Sequence, residues 1–199
     1  MRIISGIFKS RKLIAPKGDS TRPTSDRARE SLFNVLQNML DFEDITVLDL
    51  FAGSGGFGYE AFSRGAKNAI FVEQDRKACA AIQANAESLG LRSALQIIKK
   101  DAYKWLGSTS GEFEIIFADP PYDDIRTLDA LPKLIFSSRL LTPNSFVIIE
   151  HRTGSSVIVP PEAELIREFG AGEAVFSFLR QKSKDFGAKN TSSDISRDL

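Results

Sequence analysis

Four consecutive residues, Asp119-Pro120-Pro121-Tyr122, combine a carboxylate, a stiff backbone and an aromatic ring. The apolar run Ile115-Ile116-Phe117-Ala118 leads straight into them and reads as a fully buried strand. Proline holds φ at roughly −65° and cannot donate to a sheet ladder, and the residue before it is held extended. The strand therefore stops at Asp119, and the backbone after it lacks two amide donors. Ligands of open α/β sheets bind beyond the carboxyl ends of the strands. Carboxylate and carbonyl acceptors beside a ring suit a flat ligand bearing an amine, such as a nucleobase.

A second group of residues points to a cofactor. Gly53-Ser54-Gly55-Gly56-Phe57-Gly58 matches G-x-G-x-x-G between a strand and a helix, and Glu73 follows Gly53 by twenty residues. Glycines let the backbone approach a ligand closely, and an acidic residue ending the next strand can hold ribose hydroxyls. A nicotinamide dinucleotide and S-adenosylmethionine both present such a ribose, so the motif alone leaves both open. The surrounding acids favour the second. Asp49 lies in the strand ahead of the glycines, where an ammonium group could reach its carboxylate. Asp101 follows the third strand and could accept from the adenine amine; Asp119 ends the fourth, near where a sulfonium would lie. This array suits a cationic amino acid–nucleoside and would repel a pyrophosphate. The expected cofactor contacts are Asp49, Phe51, Ala52, Gly53, Ser54, Gly55, Glu73, Gln74, Asp101, Ala102 and Asp119.

Composition removes other chemistries. One histidine, His151, and one cysteine, Cys79, cannot build a His- or Cys-type metal site. Ser54 fails as a nucleophile elbow because Ala52 stands where glycine is needed, and no Gly-Lys-Ser/Thr follows the glycines to make a P-loop. No apolar stretch approaches the roughly 20 residues that span a bilayer, and the first residues lack a signal-peptide core; the expected location is the cytoplasm. With 199 residues, 42% hydrophobic and 26% charged, the chain reads as one globular domain with room for an appendage. The net charge is zero, yet residues 1–30 hold eight basic side chains against three acidic ones, a surplus of five. A basic arm on an acidic body fits a polyanionic partner.

The elements that must position these groups follow from periodicity. Runs at 2–8 and 12–15 predict a small hairpin, and 16–24 a loop. Thr24 or Ser25 can cap a helix that carries the apolar stripe Ala28, Leu32, Val35, Leu36, Met39 and Leu40. Strands are predicted over 45–51, 69–73, 95–99, 115–118 and 146–150, with further candidates at 157–159 and 174–179. Between them lie a helix ending near Arg64, one over 76–89, a short one around 103–106 and one around 128–136 that contains Pro132. Strands alternating with helices imply a parallel sheet covered on both faces. From Ser183 the chain is polar and unpatterned, so 183–199 is expected to be a disordered tail.

Taken together, these residues resemble the bacterial small-subunit ribosomal RNA guanine-N2 methyltransferases, a branch of the class I S-adenosylmethionine-dependent enzymes. The matching segments are Arg22-Pro23-Thr24 with Arg29-Glu30-Ser31-Leu32-Phe33-Asn34, Asp49 through Gly55, Glu60-Ala61 with Ser63-Arg64-Gly65-Ala66, Phe71-Val72-Glu73, and Asp119 through Tyr122. Phe57, Tyr59 and Phe62 depart from the smaller aliphatic residues usual after the glycines. The resemblance implies a Rossmann-like α/β fold: a seven-stranded, mostly parallel sheet with one antiparallel strand, helices on both faces and an N-terminal β-hairpin extension. It implies a substrate-binding extension over 1–24 and a methyltransferase domain over 25–182. The implied partner is ribosomal RNA, in a small subunit or an assembly intermediate, met by a monomeric enzyme without metal or membrane.

On this reading Asp119, Pro120, Pro121 and Tyr122 are catalytic. Asp119 Oδ and the Pro120 carbonyl accept the two N–H bonds of the target amine and expose its lone pair, while Tyr122 stacks on the flipped base. Lys9, Arg11, Lys12, Arg22, Thr24 and Arg29 are the expected RNA contacts, Arg22 and Arg29 alternatively bracing the catalytic loop. Three rivals remain: an N6-adenine or other amino-group methylase of DNA or another RNA, a nicotinamide-dependent oxidoreductase in which the tetrapeptide has no task, and a non-catalytic RNA-binding module that leaves the acids unexplained.

Overall fold

A computed structural model describes residues 1–16, 24–121 and 127–183. Among the described residues five helices and seven strands follow in the order α1 (Asp26–Gln37), β1 (Thr46–Leu50), α2 (Gly56–Ser63), β2 (Asn68–Glu73), α3 (Arg76–Leu89), β3 (Leu95–Lys99), α4 (Ala102–Leu106), β4 (Ser110–Ala118), α5 (Thr127–Ser137), β5 (Arg139–Arg152), β6 (Ala163–Ala171) and β7 (Ala174–Gln181). The strands form one sheet in the order β3-β2-β1-β4-β5-β7-β6. β7 is antiparallel to both its neighbours and β1 to β5 pair in parallel, so β7 alone runs against the other six. Among the described residues no helix is long and apolar enough to cross a membrane.

Side chains alternate across each strand, and the alternation sorts the core into two layers. Val47, Phe71, Ile115, Phe117 and Ile148 face α1, α2 and α3. Leu48, Leu50, Val72, Ile116, Ala118 and Ile149 face α4 and α5. The aromatic residues after the glycines fill the first layer. Phe57 stacks on Phe117 with centroids 5.2 Å apart, and Tyr59 leans on Phe71 at 5.1 Å. That packing demands glycine at 58, where a Cβ would lie 2.3 Å from the Phe71 ring.

Most predicted elements form within a residue or two of their expected ends, and Ser25 supplies the α1 cap, its side chain accepting from Ala28 N at 3.1 Å. Three details differ. The segment 157–159 is not a strand. Pro132 lies inside α5 and has no N–H for the carbonyl of Leu128; Ile158 N fills that place at 3.1 Å. The stretch is thus spent capping a helical gap. The true sixth strand, Ala163–Ala171, went unpredicted because it is a half-exposed edge whose alternation is broken by a register shift between Leu165 and Arg167. The N-terminal hairpin forms, but with one antiparallel bridge, Arg2 to Lys12, in place of two regular strands. Ile3 N still donates to Arg11 O, Ser10 N to Ile3 O and Leu13 N to Met1 O across the hairpin, while other amides turn to α2: Ile4 N and Ser5 N donate to Glu60 at 2.7 and 3.1 Å, and Ile7 N to Ser63 O at 2.8 Å. Gly6 has φ +83, and a Cβ there would lie 1.7 Å from Ser63 O.

Candidate active site

The site is built where β1, β2, β4 and β5 end. The register sets Asp49 beside Phe71 and Phe117, and Ala118 beside Ile149. Two residues beyond Phe71, Phe117 and Ile148, alternation brings Glu73, Asp119 and Glu150 onto the face that carries Asp49. Four carboxyls from four adjacent strands therefore share one face. Glu150 was not among the expected site residues. It ends an apolar run as Asp119 does, and that shared pattern was the signal available.

After β1 the chain reverses sharply. Phe51 takes φ +57, rare for a bulky residue and costly in backbone strain, and Gly53 and Gly55 take φ +56 and +81. A Cβ on Gly53 would meet only Phe51 O, at 4.0 Å, so this backbone lies open to a ligand. Glu73 braces the turn, one oxygen accepting from Gly53 N and the other from Asp75 N, both at 2.8 Å. Ala52 and Ser54 are buried beside it, and Gln74 is exposed just past Glu73.

Asp49 is not open as expected. It is 1% exposed, and its Oδ2 accepts from Gly58 N at 2.9 Å. Gly55, the residue that caps α2, has no side chain, so Asp49 satisfies an amide of the first turn from the neighbouring strand. Burial pushes its carboxyl up to about 8; the Gly58 bond opposes the shift and the Glu73 charge adds to it. A carboxyl that binds its proton more tightly folded than unfolded contributes most to stability below about pH 4, and that contribution fades as pH rises toward about 8. Asp49→Asn should flatten this decline in the ligand-free protein, as read from urea midpoints across the range. A decline as steep as in the wild type would show that Asp49 is already ionised. Asp101, expected at the adenine amine, accepts from Lys104 N at 3.0 Å and so caps α4, with Ala102 buried behind it.

Asp119 is half-buried between Pro120, which is buried, and the strand ends, whereas Pro121 is exposed. Loss of hydration raises its carboxyl well above the usual range; the charges of Glu150 and then Asp49 add to this, and the Thr24 hydroxyl opposes it. Thr24 Oγ1 lies 2.6 Å from Glu150 Oε2 and 3.4 Å from Asp119 Oδ2. Thr24, expected on RNA, instead sits on the site carboxyls.

Arg29 is also corrected. It is 1% exposed, so it cannot meet a phosphate. Its Nη2 donates to Arg2 O and to Asp26 Oδ1, and its Nε lies 4.0 Å from Glu60. Glu60, Ser63 and Arg64 serve the same joint, which holds the N-terminal segment on α1 and α2. Asn85 on α3 continues it. Its side chain accepts from Ile14 N and donates to Ile14 O and to Ser54 O in the glycine turn. Lys9, Arg11 and Lys12 stay exposed on this segment, Arg11 bonding Ser88 O at 2.7 Å. Tyr122 and Arg22 lie outside the described residues.

Open glycine backbone, an acidic residue at the end of β2 and a cluster of carboxyls whose mutual repulsion a cation would relieve fit S-adenosylmethionine in donor chemistry. A solved Escherichia coli protein, yhhF, provisionally named a methyltransferase, matches with a TM-score of 0.79 and 31% identity over 92% of this chain and 98% of that one. The strand order, the single reversed strand and this likeness define a class I methyltransferase fold. The chain belongs to the family described as conserved hypothetical protein 95, whose profile matches residues 1–180. It is 31% identical over 175 residues to ribosomal RNA small subunit methyltransferase D of Haemophilus influenzae, covering 86% of this chain and 89% of that protein. It is 42% identical over 154 residues to YlbH of Bacillus subtilis, provisionally named an rRNA methyltransferase, covering 76% and 82%.

Proposed function

We propose that this protein transfers the methyl group of S-adenosylmethionine to the exocyclic N2 amine of a guanine in small-subunit ribosomal RNA. The observation that carries this reading is Asp119, held at the end of β4 ahead of two prolines and one strand from the glycine turn. The named relatives supply the RNA class. The cofactor contributes an activated methyl on a sulfonium; the chain does the rest. Glu73 and the Gly53 backbone hold the nucleoside end, while a positive ligand beside Asp119 favours its ionised carboxyl. Asp119 Oδ and the Pro120 carbonyl accept the amine N–H bonds, and Tyr122 supplies a stacking face worth roughly 1–3 kcal/mol. Positive charge grows on the amine nitrogen as the C–N bond forms and the C–S bond breaks. Acceptors fixed in advance stabilise that state more than the ground state.

The test is incubation with labelled S-adenosylmethionine and, in parallel, small ribosomal subunits, protein-free ribosomal RNA and DNA, followed by nucleoside analysis. Label in N2-methylguanosine of small-subunit RNA is expected. Label in N6-methyladenine of DNA would replace this reading with the methylase alternative.

The basic N-terminal segment is the proposed RNA contact. Each phosphate neutralised on single-stranded RNA contributes about 0.7 to the salt slope, so replacing Lys9, Arg11 and Lys12 by alanine should lower that slope by about 2. Filter binding over a salt series measures it. An unchanged slope would move the RNA path off this segment.

A further inference from the structure

One hydroxyl bridging two site carboxyls has no part in the scheme above. We propose that Thr24 and Glu150 form a proton relay behind Asp119, which carries the amine proton away from the site. This rests on the amine-methylation reading. Thr24 Oγ1 lies 2.6 Å from Glu150 Oε2 and 3.4 Å from Asp119 Oδ2. A hydroxyl holds one hydrogen and two lone pairs, so it can donate to one carboxylate while accepting from the other acid. Glu150 is 2% exposed and Asp119 is half-buried on the next strand, with Asp49 and Glu73 the further carboxyls on this face among the described residues.

The step balances. The amine nitrogen forms its bond to the methyl carbon as the C–S bond breaks and the sulfonium becomes a thioether. One proton then leaves nitrogen for Asp119 Oδ. Asp119 passes a proton to Thr24 Oγ1 as Thr24 gives its own to Glu150 Oε2. Asp119 is again a carboxylate, Thr24 is unchanged and Glu150 is protonated. Both carboxylates must be ionised beforehand, a state that a bound cation favours. Thr24 is a positioning residue here; its place is set by the chain entering α1 at the Ser25 cap.

The experiment compares wild type, Thr24→Val, Thr24→Ser, Glu150→Gln and the Thr24→Val/Glu150→Gln double variant in single-turnover methylation across neutral and alkaline pH. Thr24→Val and Glu150→Gln are each expected to slow transfer about 100-fold, within the span of general acid–base effects. KM for RNA and cofactor should hold within about twofold and the acidic limb of the pH profile should move. The double variant should be no slower than either single one, and Thr24→Ser should restore most of the rate. Carboxyl carbon NMR of the ligand-free proteins adds a readout apart from turnover. One proton shared by Asp119 and Glu150 in the wild type should become localised in Thr24→Val. Additive losses, loss of the Thr24→Ser variant equal to Thr24→Val, or wild-type rate and pH profile in both single variants would overturn the relay. Absence of transfer to RNA by the wild type would overturn the methylation reading itself and the relay with it. Should Thr24→Val fail to fold, the near-isosteric Glu150→Gln decides on the same criteria.

Discussion

Asp119→Asn should cost at least about 1,000-fold in the rate of methyl transfer, the upper part of the range for a group that both accepts a proton and stabilises developing charge. The amide keeps one acceptor oxygen and nearly the same volume, so the strand end is not disturbed. It loses the charge, and it turns an N–H toward either the target amine or Thr24. S-adenosylmethionine affinity should change far less, since Glu73 and the glycine turn are untouched. Folding should not suffer. Hydration loss, Glu150 and Asp49 already favour the neutral acid that asparagine imitates, so the variant should be at least as stable as the wild type at neutral pH. Rapid-quench turnover, calorimetric cofactor binding and thermal unfolding together check this. Transfer at the wild-type rate would remove Asp119 from the chemistry.

Glu60→Ala is expected to have the largest effect on stability, about 3–5 kcal/mol, because it leaves the buried Arg64 guanidinium without its carboxylate and Arg29 with Asp26 alone. Glu60 is fully buried; it accepts from Ile4 N, Ser5 N and Arg64 Nε and lies 4.0 Å from Arg29 Nε. Its loss removes the acceptor that draws the N-terminal segment onto α2. Amide exchange at Ile4 and Ser5 should rise, RNA affinity should fall, and cofactor binding should be retained in the folded fraction. Arg2→Ala is the control. Arg2 pairs with Asp26 at 3.4 Å on the surface, where such pairs contribute less than about 1 kcal/mol. Equal losses in the two variants would show that burial does not govern this joint.

The residues that resemble a family divide by what they do in the fold. Asp49, the glycine turn, Glu73 and Asp119 were legible because each sits at a strand end, and strand ends follow from short-range signals: an apolar run, then a glycine or proline. Arg29, Glu60, Ser63 and Arg64 belong to the same recognisable segments, yet they lock the N-terminal segment to two helices. Their spacing in sequence says nothing about partners on other elements: Arg2 is 27 residues from Arg29, and Ile4 is 56 from Glu60.

The chain's local order therefore determined its alternating strands and helices, the turn at Gly53–Gly58 and the carboxylate ahead of Pro120. Those depend on φ limits, hydrophobic alternation and missing amide donors, all of which act between near neighbours. Tertiary structure alone decided that Asp49 is sealed beneath α2, that Arg29 is buried, that Ile158 completes the helix around Pro132, and that Thr24 meets Asp119 and Glu150. Each of these joins groups on different elements, from nine residues apart for Asp49 and Gly58 to 126 for Thr24 and Glu150, and a charge or a lone pair takes its value from whatever folding sets beside it.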